Sequence, residues 1–267
     1  MKFHALIFSA LFVTALNLQA QTAAPPLPVV KAAPATQKAD VASEKFGPDG
    51  KVNPGFAESH ARFVKQAQEG KAQLVFLGDS ITAGWGGQRA IWDEAFGAYT
   101  PVNFGIGGDR TQHVLWRITH GELDGIKPKA VVLMIGTNNT GHQGRAMVEH
   151  GGVLYNSTAE QTAEGVTQIV DLLKKKQPQM KILLLAIFPR GADATDKMRQ
   201  QNEVTNQLIA KLADEKTVYF LDINKTFLEE DGTLSKEIMP DLLHPNEAGY
   251  QIWTDAIQGK VKELLGE

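Results

Sequence analysis

Five positions in this sequence carry the groups that acyl transfer needs: a nucleophile, a base, a group to orient the base, and donors for a developing oxyanion. Ser80, in Gly78-Asp79-Ser80, supplies a hydroxyl. Asp241 and His244, three residues apart in Asp241-Leu242-Leu243-His244, supply a carboxylate and an imidazole. With Ser80 as nucleophile, His244 can take its proton and return it to the leaving group, while Asp241 accepts from the imidazole Nδ1–H and holds the tautomer. The candidate oxyanion donors are the backbone N–H groups of Ser80 and Gly108 and the side-chain amide of Asn138. Gly108 lies in Gly105-Ile106-Gly107-Gly108-Asp109 and Asn138 in Gly136-Thr137-Asn138-Asn139. Each motif alone has an ordinary explanation as a turn, a close-packed loop, a helix cap or a surface ion pair. Catalysis requires all of them together, in this order, at the right places in a fold.

Residues so far apart in sequence meet only if the chain brings the ends of several elements to one edge. Five short apolar runs qualify as strands: Gln73–Leu77, Pro101–Phe104, Ala130–Ile135, Lys181–Ile187 and Val218–Leu221. They are continuous rather than alternating, which suits strands buried on both faces of a parallel sheet. Helical stripes lie between and after them. Val166, Ile169, Val170 and Leu173 share one face, with Ser157 and Glu160 as a capping box before them and Pro178 beyond the end. Val204, Leu208 and Leu212 make a second stripe; Trp253, Ile257, Val261 and Leu264 make a third, after Pro245. Alternating strands and helices predict an α/β three-layer sandwich with a five-stranded parallel sheet, and by analogy the flavodoxin-like strand order 2-1-3-4-5. In such sheets ligands bind beyond the carboxyl ends of the strands, where the Ser80, Gly108 and Asn138 motifs fall.

Other residues weigh less. His113, in a predicted helix, reads as a packed side chain. Arg110 and Arg190 are candidates for the cleft, where they could bind an anionic group, or for structural ion pairs. The Gly105–Gly108 run departs from a dinucleotide fingerprint because Asp109 and Arg110 follow it. There is no H-E-x-x-H zinc pattern, and Asp231-Gly232 reads as a turn rather than a calcium loop. Asn156-Ser157-Thr158 fits a glycosylation acceptor, and Lys174–Lys176 a solvated helix end favoured by the helix dipole.

Composition bounds the rest. The chain has 267 residues, 43% hydrophobic and 21% charged, enough to bury a substantial core. Its 27 Lys and Arg against 30 Asp and Glu exclude the basic footprint of a nucleic-acid binder. With no cysteine, thiol catalysis, disulfide scaffolds and cysteine zinc sites are excluded. Residues 1–20 read as a secretory signal peptide: Lys2, an apolar stretch from Ala5 to Leu16, and a small residue at Ala20. The stretch is too short for a membrane span, so stable membrane insertion is not expected. Residues 21–44 hold seven Ala, four Pro and no aromatic residue, and read as a flexible spacer. A single catalytic domain is expected over 45–267, in a secreted or periplasmic protein.

The four blocks Gly78-Asp-Ser-Ile81, Gly105-Ile-Gly-Gly-Asp109, Gly136-Thr-Asn-Asn139 and Asp241-x-x-His244 resemble those of the SGNH (GDSL-type) hydrolases. The similarity is nearest to the branch of platelet-activating-factor acetylhydrolase catalytic subunits. It is carried further by Asn103–Asp109, Thr111–Arg117, Gly121-Glu-Leu123 and Pro189-Arg-Gly191, and covers about residues 60–265. The resemblance implies a flavodoxin-like fold, no metal or organic cofactor, and an ester hydrolase using Ser80, Gly108, Asn138, Asp241 and His244. The chain lacks the G-x-S-x-G elbow of a standard α/β-hydrolase. It departs from the acetylhydrolase subunits, which are intracellular, in its export signal. It also has a longer stretch at about 140–157, which could form a lip over the site.

Ile81, Thr137 and Leu243, neighbours of the candidate catalytic residues, are expected to line a small acyl pocket. This predicts acetyl esters over long-chain ones. A secreted carbohydrate O-acetylesterase acting on small-molecule or polysaccharide esters is the leading expectation. An acetylated-phospholipid esterase is the alternative, and a non-catalytic carbohydrate-binding module on the same fold the reading of another class. A homodimer is compatible with the sequence and is not decided by it.

Overall fold

The computed structural model describes residues 38–147 and 152–267. The expected signal peptide and most of the spacer lie outside the described residues.

Five parallel strands form the sheet: β1 (Leu74–Gly78), β2 (Pro101–Gly105), β3 (Ala130–Met134), β4 (Lys181–Leu185) and β5 (Val218–Leu221). They stand in the order β2-β1-β3-β4-β5, the flavodoxin-like arrangement. Period-two alternation sends their side chains to two cores. Val75, Leu77, Val131, Leu133, Ile182 and Leu184 face one side. It is closed by helices α1 (Pro54–Gln68), α4 (Thr111–Thr119), α6 (Ala159–Lys176) and α7 (Lys197–Ile209). Leu74, Phe76, Val132, Leu183 and Leu185 face the other, against α3 (Arg89–Phe96) and α8 (Glu247–Leu265). The second side is aromatic: Phe76, Trp85, Trp92, Phe96, Tyr250 and Trp253 pack in tilted and edge-to-face pairs with centroids 4.7–6.3 Å apart.

The register decides what shares the functional edge. Gly78 pairs with Gly105 on one side and with Met134 on the other, so the three strands end level. The loops beginning at Asp79, Ile106 and Ile135 therefore leave the sheet side by side. Two short helices start there, α2 (Ser80–Ala83) and α5 (Thr137–Gly141). α2 crosses the end of β2 closely; a Cβ on Gly105 would sit 2.2 Å from the Ala83 amide nitrogen, which is why that strand ends in glycine.

Three local expectations are corrected. The capping box of α6 is Thr158 with Gln161, each side chain bonding the other's backbone N–H, not Ser157 with Glu160. Ser157 is instead buried and bonded to Thr162 Oγ1 at 3.0 Å. On α7 the buried face is Arg199, Asn202, Thr205, Asn206 and Ile209, while Val204 is exposed. Leu208 and Leu212 of the expected stripe do pack against the core, but Arg199 and Asn206 turn inward to bond loop backbone, so the stripe gives only part of the inner face. Residues 38–44, counted with the spacer by composition, pack on α4. Thr111 Oγ1 donates to Ala39 O at 2.6 Å and the Ser43 N–H to Gln112 O at 3.0 Å, so backbone bonds hold a segment poor in large side chains. The stripe on α8 is buried as expected.

Candidate active site

Ser80 opens α2 immediately after β1. Asp79 caps this helix, its Oδ1 accepting from the Ile81 N–H at 3.0 Å. From the opposite side the Tyr250 hydroxyl of α8 donates to Ile81 O at 2.6 Å. The serine thus stands on a turn fixed at both ends.

The Asp241–His244 loop comes from between β5 and α8. His244 Nε2 lies 2.9 Å from Ser80 Oγ, and His244 Nδ1 lies 2.7 Å from Asp241 Oδ2. The other Asp241 oxygen accepts the His244 and Leu243 N–H groups at 2.7 and 3.1 Å, folding the loop around the carboxylate. Burial alone would raise the Asp241 carboxyl, but the bonds from His244 outweigh it and hold it below the usual range. The pair remains open to solvent, with side chains 56% and 42% exposed for Asp241 and His244. A hydroxyl, imidazole and carboxylate linked in series can pass the hydroxyl proton to the ring as an acyl carbon is attacked.

This loop is held by a clamp that sequence reasoning missed. Leu242 adopts a left-handed φ of 59°, and its carbonyl accepts the Gly191 N–H at 3.0 Å. Gly191 O, Arg190 O and Gly232 O in turn accept from the buried Arg199 guanidinium at 2.9, 3.0 and 2.7 Å. Nothing local marks Arg199, since its partners are carbonyls brought near only by folding.

The glycine loop lies against the serine: a Cβ on Gly107 would come 3.9 Å from Ser80 Cβ. Asp109 behind it is fully buried and paired with Arg117 Nε at 2.9 Å. Arg117 also donates to Gly78 O and Phe104 O, at 3.1 and 3.0 Å, tying the ends of β1 and β2 to the glycine loop. Asn138 sits on α5, and its amide nitrogen donates to Asp109 O at 2.9 Å and to Asp79 Oδ2 at 3.3 Å. Burial pushes the Asp79 carboxyl up to about 7, against the stabilising Ile81 amide, and that of Asp109 up to about 6, against Arg117 and Lys45.

The expected pocket residues divide. Ile81 is 1% exposed and packs in the aromatic core, and Thr137 is 2% exposed with Arg190 on its hydroxyl and carbonyl. Neither presents side-chain surface to an acyl group; of the three only Leu243 is partly accessible. Beside the triad Arg190 is partly exposed and interacts with Asp79 and Asp241, while Arg110 and Asn139 are buried. Arg110 stacks on Tyr155 at 4.1 Å, and Tyr155 Oη accepts from Asn139 at 3.3 Å, so Tyr155 ties the end of the 140–157 stretch to both; residues 148–151 of that stretch lie outside the described residues. His142, unremarked in the sequence, is held down to about 3 by burial and by Arg110, Arg145, Lys45 and Arg190. His113 is packed, its Nδ1 accepting the Arg110 N–H at 3.1 Å. No group of His, Asp or Glu suited to a metal ion occurs among the described residues.

A parallel sheet in this order, with a serine, a histidine and an aspartate gathered at its carboxyl edge, defines an SGNH-type hydrolase fold. The chain belongs to the GDSL-like Lipase/Acylhydrolase family, whose pattern matches residues 76–252, and is an ester hydrolase. It is 39% identical over 209 residues to the platelet-activating factor acetylhydrolase IB subunit alpha1 of Homo sapiens, covering 78% of this chain and 83% of that one. It is 38% identical over 212 residues to the alpha2 subunit of Rattus norvegicus, covering 78% and 84%. Among solved structures, a GDSL-like lipase from Bacteroides thetaiotaomicron superposes with TM-score 0.60 at 20% identity, covering 78% of this chain and 98% of that one. A variant of an acetyl-xylooligosaccharide esterase from Geobacillus stearothermophilus superposes with TM-score 0.55 at 20% identity, covering 73% and 94%.

Proposed function

We propose that the protein is a serine esterase for short acyl, chiefly acetyl, esters. The observation that carries the proposal is the unbroken series Asp241 Oδ2, His244 Nδ1, His244 Nε2, Ser80 Oγ, with both links under 3 Å. Ser80 Oγ attacks the ester carbonyl as its proton moves to His244 Nε2. The carbonyl oxygen becomes an oxyanion received by the N–H groups of Ser80 and Gly108. Asn138 serves as third donor by exchanging its longer bond, the 3.3 Å one to Asp79, for the oxyanion. Collapse expels the alcohol, which takes the proton from His244, and leaves an acyl group on Ser80. Water, deprotonated by His244, then releases the acid. The acetyl preference is supported by the names of the relatives at 38–39% identity, both acetylhydrolases, and no longer rests on Ile81 and Thr137.

The leaving group we propose is a carbohydrate. Arg190, partly exposed and interacting with Asp79 and Asp241, and the partly exposed His142 near it put polar groups beside the triad, which suits a hydrated alcohol better than a lipid tail. Acetylated phospholipid is the second reading, favoured by the identity to the platelet-activating factor acetylhydrolase subunits. A panel of acetylated sugars, acetylated xylan and acetylated phospholipids, run on wild type and Ser80→Ala, decides between them. Faster turnover of the lipids refutes the carbohydrate assignment. Ser80→Ala hydrolysing at the wild-type rate, or still labelled by a fluorophosphonate, refutes the serine mechanism; a wild type that neither hydrolyses any of these esters nor is labelled leaves a binding module. Export with cleavage after Ala20 belongs to the same proposal. It requires the N-terminal sequence of the mature protein to begin at Gln21.

A further inference from the structure

The glycine loop contains a four-residue turn. The Asp109 N–H bonds Ile106 O at 3.1 Å, so Gly107 and Gly108 are its central residues. Gly108 has φ +73°, the value that a type II turn demands at its third position. Type I and type II turns differ by a flip of the central peptide, here the unit joining Gly107 C=O to Gly108 N–H. With glycine on both sides of that unit, neither orientation meets a Cβ penalty. Because a trans peptide is planar, its C=O and N–H point in opposite directions, and whatever holds Gly107 O also aims Gly108 N–H.

What holds Gly107 O is Lys45. Its Nζ donates to that oxygen and lies 3.5 Å from Asp109 Oδ1. A Cβ built on Gly108 would come 3.1 Å from the same nitrogen. Lys45 is itself fixed from the backbone: Lys45 O accepts the Asn53 N–H at 2.8 Å, and Phe46 bridges Val52. Two residues earlier Ser43 is bonded to α4. The lysine therefore reaches the glycine turn from a braced segment that lies before the part matching the family, which begins at residue 76.

We infer that Lys45 is a positioning residue for ester hydrolysis: by holding Gly107 O it keeps the central peptide of the turn in the type II orientation, with Gly108 N–H turned toward the oxyanion. The bond from an ammonium also polarises that peptide, which strengthens its N–H as a donor on the far side. The inference rests on the reading of the Ser80 cleft given above.

The test compares Lys45→Met and Lys45→Arg with wild type on nitrophenyl acetate, together with inhibition by a boronic acid that adds to Ser80 and mimics the tetrahedral intermediate. Lys45→Met is expected to lower kcat about tenfold or more, with KM within about twofold, and to weaken boronate inhibition by the same factor. Lys45→Arg, which keeps a charged donor, should recover most of both. Wild-type kcat in Lys45→Met overturns the inference, as does a fall in kcat with boronate affinity unchanged, the mark of a purely structural role. Should Lys45→Met fail to fold, Lys45→Ala, which also lacks a donor, replaces it with the same expectation; failure of both to fold overturns the inference, because Lys45 would then be holding the domain rather than the turn. Ser80→Ala run in parallel keeps the two readings apart. Hydrolysis retained there refutes the site itself, whatever Lys45 does.

Discussion

Asp241 does two separable things: one oxygen holds the imidazole and the other folds the loop. Asparagine keeps an oxygen for the backbone bonds but cannot accept and stabilise charge as the carboxylate does. Asp241→Asn is expected to lower kcat by roughly 10³- to 10⁴-fold while circular dichroism and the unfolding midpoint stay at wild-type values; turnover within tenfold of wild type would remove Asp241 from the mechanism. Asn138 also has two duties, since its amide joins Asp79 to the glycine loop before any substrate arrives. Asn138→Ala should cost about 10²- to 10³-fold in kcat and also lower stability, seen as an earlier urea midpoint. The first duty of each residue was legible in the sequence, because short motifs record which groups are present. The second was not, because Asp109 O and Asp79 Oδ2 become neighbours of Asn138 only when β1, β2 and β3 end level.

At the scale of elements, the site depends on how tightly α2 and the acid–base loop are clamped. Tyr250 of α8 pins α2 through Ile81 O, and Gly84 lets it approach: a Cβ there would lie 2.0 Å from the Tyr250 hydroxyl. Gly84→Ala is expected to destabilise the protein by about 2 kcal/mol or more. Adding Tyr250→Phe should cost less in that background than in wild type, because it removes the clashing oxygen. A double-mutant cycle by urea unfolding measures the coupling, and strict additivity would show that the two do not compete. On the other side Arg199→Met would leave three carbonyls without their donor. It should lower stability by about 3 kcal/mol and slow turnover by freeing the Pro189–Gly191 turn that holds Leu242. The helices and strands themselves were mostly readable from periodicity. The partly misread face of α7 shows the limit: Leu208 and Leu212 pack on the core as expected, but the helix also buries Arg199 and Asn206 to bond loop backbone, and no apolar stripe marks those positions.

For the whole molecule, the same packing that creates the site buries two carboxyls behind it. Asp79 and Asp109 are raised to about 7 and about 6, above the ordinary value near 4 that they take in the unfolded chain. Below about pH 4 both states hold these protons. Between about pH 4 and about pH 7 the folded chain retains protons that the unfolded chain has lost, so the associated stability declines as pH rises and is gone above about 7. Asp79→Asn, which can still cap α2, should remove part of that decline. The urea midpoint of the variant relative to wild type should therefore rise between about pH 5 and about pH 8. A difference independent of pH would show that Asp79 does not titrate in this window.

The amino-acid sequence by itself determined the alternation of strands and helices, the two-sided burial of the sheet and the chemical identity of the nucleophile, base and orienting acid. Those follow from local periodicity and from short motifs, which act over a few residues. Only the tertiary structure decided that the three inner strands end level, that Arg199 braces the acid–base loop, that Ile81 faces the core, and that Lys45 reaches the glycine turn. These are contacts between distant parts of the chain, made to carbonyls and packed surfaces that every sequence possesses, and packing alone selects which of them meet.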